Sequence, residues 1–267
     1  MKRSILLIGL ITLVLSLVAA APVLAGDDND GKGHGKRIVV SPENMHGWAF
    51  FQETPIGSGM MEEGPANPPA GKGSANLIVD SNGRELLYKR AYQGTYLRDF
   101  TQLEYSTYKT LGAPALAVSL QFEIDPNLND ANETYQGRLV YEPYYSHLVM
   151  AGVWQTWNTQ DDARPGNWWF SRAPQNTPFI GCSQALPCTW SQLLTRFPDA
   201  GVHRTFGAVF LKAGGPWPPG FDGNTDALTI GCNGRTILWD FENSKESKDD
   251  KDDNKDKKLC GKDHGDD

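Results

Sequence analysis

The chain is poor in several things at once, and each shortage closes off a class of function. It has 4 cysteines and 5 histidines in 267 residues. The cysteines follow no repeated C-x-x-C pattern and have no histidine beside them, which excludes the spacing of a zinc site. No G-x-S-x-G elbow and no H-E-x-x-H helix motif occurs, so neither the common serine-hydrolase nor the metalloprotease arrangement is present. Basic residues are fewer than acidic ones, 25 against 32, and form no stripe, which argues against nucleic acid and anionic membrane surfaces as partners. No internal repeat is visible. After the first 25 residues no long apolar run recurs, so no membrane contact is expected once that segment is gone.

That first run is itself informative. Lys2 and Arg3 precede an apolar stretch from Ile5 to Ala21, Pro22 breaks it, and small or apolar residues lead up to Ala25. This is the layout of a secretory signal peptide over 1–25, cleaved after Ala25, and it predicts a secreted protein, extracellular or periplasmic. No cysteine follows at the cleavage point to take a lipid. Residues 26–37 are polar and Gly-rich and read as a flexible linker. Their acidic cluster fits no register of a calcium-binding loop. From Asn243 to Asp267 the chain is chiefly Lys, Asp and Glu, with too little apolar surface to offset the entropy of ordering, and reads as a disordered charged tail.

Between these ends, 38–242, the pattern is that of short strands. Leu116, Val118, Leu120, Phe122 and Ile124 alternate with Ala117, Ser119, Gln121 and Glu123, a period of two that predicts a half-buried strand with one wet or lightly covered face. Further strands are expected at 47–53, 74–80, 85–92, 103–110, 137–141, 148–157, 206–212, 225–230 and 236–241. Ile56 to Gly73, rich in Gly and Pro, reads as a long loop. Asn82-Gly83 between two strand-like runs signals a hairpin. Thr189 to Phe197 is the one helix, with Thr189 as its cap and Gln192 placed to reach back. Roughly ten short strands, Gly/Pro turns and one short helix predict an all-β fold, an antiparallel β-sandwich of jelly-roll type.

Cys182 and Cys188 flank a five-residue Pro-containing loop and are expected to bond to each other in an exported protein. Cys232 and Cys260 would then tie the tail to the domain, unless Cys260 is free or pairs between molecules.

Aromatic residues concentrate in 135–169, which holds four of the eight tryptophans. Tyr141, Tyr144, Tyr145, Trp154, Trp157, Trp168, Trp169 and the more distant Trp217 lie on strands or adjoining loops. Two readings stand. The rings fill the core, as in most β proteins, or some form a platform on which sugar rings stack, with Glu142, Gln155, Asn158, Asp161 and Arg164 bonding the hydroxyls. The polar loop 158–167 must lie at a domain edge, so Trp157, with Trp168 or Trp169, is expected to form one exposed patch, with Asn158, Asp161, Arg164, Tyr144 and Tyr145 around it. Trp168 and Trp169 are adjacent and point to opposite faces if they lie in a strand.

The segment Glu123-Ile124-Asp125 is similar to the Glu-x-Asp-x-x-Glu strand of some jelly-roll glycoside hydrolases. Pro126 stops it, and Leu128 stands where the third carboxylate belongs, so the second half of the carboxyl pair needed for glycoside hydrolysis is missing. Asn224 to Ile230 (NTDALTI) resembles the final strand of jelly-roll carbohydrate-binding modules. The segments YSTY, LVYEPYY, WQTWN and TDALTIG, together spanning much of the domain, resemble those of uncharacterised secreted bacterial jelly-roll proteins, a resemblance that implies no particular activity. The first resemblance implies a glycan partner and a structural calcium shared by Asp226 and an early-strand Glu, here Glu53. The sequence thus favours a secreted non-catalytic binding module for glycans, no enzyme. The alternative is a structural or surface-associated protein with no small ligand; a glycosidase comes third.

Overall fold

The computed structural model describes residues 35–174, 181–244 and 260. The leader at 1–25, most of the linker and the tail beyond Ser244 other than Cys260 lie outside the described residues. The strands are β1 (Lys36–Val40), β2 (Trp48–Thr54), β3 (Gly57–Glu63), β4 (Gly73–Asp80), β5 (Arg84–Lys89), β6 (Phe100–Leu111), β7 (Ser119–Asp125), β8 (Arg138–Tyr141), β9 (Trp154–Asn158), β10 (Trp168–Phe170), β11 (Gly201–Val202), β12 (Val209–Gly214), β13 (Gly220–Cys232) and β14 (Arg235–Phe241), with one α-helix, α1 (Trp190–Arg196).

They form two seven-stranded sheets. In the first, the long β13 is the spine. β6 runs along one side of it, with β9 beyond; β4 and then β3 pair its first half on the other side, and β14 and then β1 follow its second half. The second sheet has the order β10-β8-β7-β12-β5-β2, with β11 adding to β7. The predicted β-sandwich is therefore present. It departs from the antiparallel rule at one place, where β1 runs parallel to β14.

The core lies between the sheets, and the period-of-two pattern puts it there. Leu120, Phe122 and Ile124 of β7 are fully buried, as are Leu77 of β4, Tyr105 of β6, Leu211 of β12 and Leu228 of β13. Complete burial of one such side chain stabilises by roughly 1.5–3 kcal/mol. Helix α1 has the expected cap: the Thr189 hydroxyl accepts from the Gln192 N–H and the Gln192 side chain accepts from the Thr189 N–H. Both disulfides, Cys182–Cys188 and Cys232–Cys260, are formed, with Cα atoms 4.7 and 5.6 Å apart.

Four expectations are corrected. Asn82-Gly83 does not make a hairpin. β4 pairs with β3 and β13 while β5 pairs with β2 and β12, so the turn is an arch from one sheet to the other. The Asp80 carboxylate accepts from the Asn82 and Gly83 N–H groups to hold it. Glycine is required at 83 because a Cβ there would stand 2.2 Å from the Ile56 carbonyl oxygen. Second, the stretch read as one long loop begins with a strand, β3, paired to β4 over its whole length. Gly59 lets it pass over Phe50, whose ring a Cβ would meet at 2.2 Å. Third, the strand expected at 148–157 starts only at Trp154. Gly152 takes φ +76, and Leu148, Met150 and Val153 are exposed before β9 starts at the sheet edge. Fourth, the linker ends earlier than 37, since Lys36 and Arg37 already belong to β1 and Arg37 bonds Asp240 at 2.8 Å.

A candidate binding cleft on the outer face of the second sheet

The residues of β7 that point away from the core are Ser119, Gln121 and Glu123, and the first two line the floor of a cleft. Alternation sets this: with Leu120, Phe122 and Ile124 committed inward, the intervening polar residues must face out. Strand register brings neighbours into line. Phe210 stands opposite both Tyr88 and Gln121, Gln121 opposite Val140, and Val140 opposite Trp169. Tyr88, Phe210, Gln121, Val140 and Trp169 thus form one row across five strands, about 19 Å long at roughly 4.8 Å per strand. Tyr88 and Phe210 stack at one end, ring centroids 6.0 Å apart, and the Trp169 indole closes the other.

Beside this row lies a cleft of about 590 Å³, lined among others by Glu53, Gln121, Arg138, Glu142, Trp169 and Lys212, with Trp217 and Gly214-Gly215-Pro216 as one wall. The floor is an ion-pair network. Glu53 accepts from Arg138 at 2.8 Å and from Lys212 at 2.7 Å, and Arg138 also reaches Glu123 at 3.0 Å. The Arg138 guanidinium lies over the Phe210 ring at 4.3 Å, tying the network to the aromatic row. Burial works against the Glu53 carboxylate, but the bond from Lys212 and the charges of Lys212 and Arg138 outweigh it and hold its pKa below the ordinary value. Burial lowers the Lys212 ammonium pKa, and Glu53 recovers only part of that shift.

Glu142 is held by the Trp169 indole N–H at 3.1 Å; burial raises its pKa. Tyr144 and Tyr145 stack beside it with centroids 4.3 Å apart, and the Tyr145 hydroxyl donates to the Gln184 carbonyl at 2.7 Å. Gln184 reaches the cleft from the loop closed by Cys182–Cys188, which is bonded to β10 through Trp168 and Phe170.

The expected exposed patch is not there. Trp157 is 3% exposed, its N–H donating to the Thr107 hydroxyl, and Trp168 is 1% exposed, its N–H donating to the Thr159 carbonyl. Both point into the sandwich because they occupy inward positions of β9 and β10; only Trp169, the next residue, turns outward. Asn158 ends β9, Asp161 and Arg164 lie on the exposed loop after it and pair with each other at 3.7 Å, and none of the three lines the cleft. Five of the eight tryptophans are buried, and of the three half-buried ones Trp154 bonds the Pro65 carbonyl while Trp169 and Trp217 line the cleft.

The calcium pair is not brought together either. Glu53 belongs to the second sheet and is occupied by Arg138 and Lys212. Asp226 belongs to the first, fully buried, where its oxygens accept from the Ala70 and Phe241 N–H groups. Among the described residues no group of three or more metal-ligating side chains occurs.

No family model and no curated protein matches the chain. Among solved structures it is similar to a family 11 carbohydrate-binding module from Clostridium thermocellum, in complex with a β-1,3-1,4-mixed-linked tetrasaccharide. The identity is 7% and the TM-score 0.39, covering 76% of this chain and 95% of that one. A family 11 module of the cellulosomal cellulase Lic26A-Cel5E of the same organism gives 5% identity and a TM-score of 0.39, covering 74% and 91%.

Sequence reasoning missed Gln121, Arg138, Lys212 and Arg84 as cleft residues. One signal pointed at them: the polar face of β7, whose neighbours across the sheet could be named only once the strand order was known.

Proposed function

We propose that the protein is an exported, non-catalytic glycan-binding module whose binding surface is the cleft on the outer face of the second sheet. The observation that carries this reading is the pairing of two half-buried indoles, Trp169 and Trp217, with the amide of Gln121 and the ammonium of Lys212 in one open trough. Indole faces take the C–H faces of sugar rings, and fixed amides and charged groups bond their hydroxyls. The half-buried Tyr88 ring continues the row beyond Phe210, which is itself buried beneath Arg138. Non-catalytic action is supported by the state of the carboxylates: Glu53 is occupied by two cations and Glu142 by the Trp169 N–H. The paired cysteines fit the exported address.

The test is a pull-down on a panel of insoluble and immobilised polysaccharides, with reducing-end release measured on the same samples. Wild type should bind at least one glycan and release nothing. Trp169→Ala and Trp217→Ala should each weaken binding about tenfold with the fold intact, as for partly desolvated ring contacts. Wild type that binds no member of the panel would favour the structural, ligand-free alternative; release of reducing ends would make the protein an enzyme.

A further inference from the structure

The charge of the cleft runs against the charge of the chain. The protein carries a formal −7. The cleft lining nonetheless holds four cations, Arg84, Arg138, Arg172 and Lys212, against two carboxylates, Glu53 and Glu142. The network does not balance this excess. Arg138 and Lys212 converge on the single carboxylate of Glu53, and Arg84 is close enough to Lys212 to disfavour its charged form. Glu123 also serves Arg138, at 3.0 Å, and counting it still leaves three carboxylates to four cations. Among the described residues neither Arg84 nor Arg172 has a carboxylate partner. Arg172 lies instead over the Tyr135 ring at 4.7 Å, which fixes its plane at the cleft wall.

Positive groups gathered in a concave, partly dry site focus field lines on it and draw in anions. The two unpaired guanidiniums come from separated elements. Arg84 opens β5, near one edge of the sheet, and Arg172 follows β10 at the other edge. A chain bearing an anionic group at intervals can meet both. The guanidinium fork matches a planar carboxylate through two parallel bonds.

We propose that the glycan taken by this cleft is acidic, a polyuronate whose carboxylates are read by Arg84 and Arg172. This rests on the glycan-binding reading above. Trp169 and Trp217 then supply stacking, and the two arginines supply the choice of charged over neutral sugars.

The experiment is affinity gel electrophoresis of the full exported chain in gels containing polygalacturonate, mixed-linkage β-glucan, dextran sulfate or polyglutamate. Polygalacturonate should retard the wild type most, with an effect that weakens as salt is added. Arg84→Gln and Arg172→Gln should each reduce its affinity about tenfold, the size of one charge-assisted contact. Arg235→Gln removes an equal charge from the exposed start of β14 in the other sheet and should leave retardation as in wild type. Melting curves on each variant separate a lost contact from a lost fold; Arg172, being exposed, can be replaced without disturbing the core. Retardation by β-glucan and not by polygalacturonate would overturn the acidic inference and leave glycan binding standing. Retardation by no polysaccharide would overturn both. Equal retardation by polyglutamate or dextran sulfate would reduce the cleft to a general polyanion site and overturn the inference, as would unchanged affinity in both arginine variants.

Discussion

The outer face of the first sheet carries Ser74, Asn76, Asp222 and Asn224; the outer face of the second carries Ser119, Gln121, Arg138 and Lys212. Both rows come from the same alternation, polar residues between core residues. On the first sheet every one of these groups is answered from within the protein. Asn76 donates to Asp222 and Asn224, and Asn224 donates to Ser74 and to Glu62. The Gly/Pro loop 64–72 closes over them: Ser74 bonds the Gly64 carbonyl, Trp154 the Pro65 carbonyl, and the Ala70 N–H reaches Asp226. On the second sheet the four named groups are paired too, Ser119 to the Lys212 carbonyl, Gln121 to Ser119, and Arg138 and Lys212 to Glu53, but among the described residues no such loop covers them, and space of about 590 Å³ stands over them with Arg84 and Arg172 in its lining and without carboxylate partners. A satisfied and covered polar face is a structural device, because any ligand would have to break bonds already made. An open one with charge to spare is a binding surface. That difference, more than the number of aromatic residues on either face, locates the candidate site.

The comparison can be broken first at the core between the two faces. Trp168 and Trp169 differ by one position and face opposite ways. Trp168→Ala should lower the free energy of unfolding by about 3–5 kcal/mol, as for a buried aromatic truncated in a packed core, measured by denaturant titration. A loss of under about 1 kcal/mol would mean that the ring is not packed as described.

The next largest effect tests the covered face. Asp226→Ala strips the acceptor from two buried N–H groups, those of Ala70 and Phe241. The cost should be about 2–4 kcal/mol, with glycan binding unaffected once the fold is secured at low temperature. Binding lost while the fold persists would transfer function to the first sheet.

On the open face the expectation reverses. Trp169→Ala should change stability by only about 1 kcal/mol, since the ring is half exposed, while reducing glycan affinity about tenfold. Equal damage to stability from Trp168→Ala and Trp169→Ala would erase the distinction between core and cleft.

How much of this was legible beforehand depended on the range over which each signal acts. The capping box at Thr189 and Gln192 is local, decided by backbone geometry within a few residues, and is found in the structure; the alternation from Leu116 to Ile124 gives a strand only from Ser119 on, and both faces of that strand are buried, not one of them wet. Asn82-Gly83 failed because a turn dipeptide reports the tightness of the turn and not which sheet the next strand joins. Trp157 was expected to be exposed because the polar loop after it must reach the surface, yet the last residue of a strand's inward set can lie beneath such a loop. The cleft floor draws on Glu53, Arg138 and Lys212, which are 85 and 74 residues apart in succession. No spacing rule links them; only the order β8-β7-β12-β5-β2 does.

The smallest effect concerns Glu142 and pH. Burial raises its pKa, while the Trp169 N–H, the Tyr144 hydroxyl and the Lys212 charge pull it the other way and lose. A carboxyl whose folded pKa lies above its unfolded one contributes stability that is present in full below the unfolded value, and that stability disappears as the pH rises through the folded value. Glu142→Gln carries no charge at any pH and can still accept from the Trp169 N–H through its amide oxygen. The variant and the wild type should therefore match most closely near pH 4, and the variant should become the more stable of the two as the pH is taken to 7 and above. Paired melting curves across that range measure the difference directly. If the variant instead falls below the wild type as the pH rises, the ionised carboxylate is the favoured form, and Lys212 must be its partner more than burial is its penalty. The open face would then carry one cation fewer for a ligand, which narrows the contrast between the two sheets from the side opposite to the arginines.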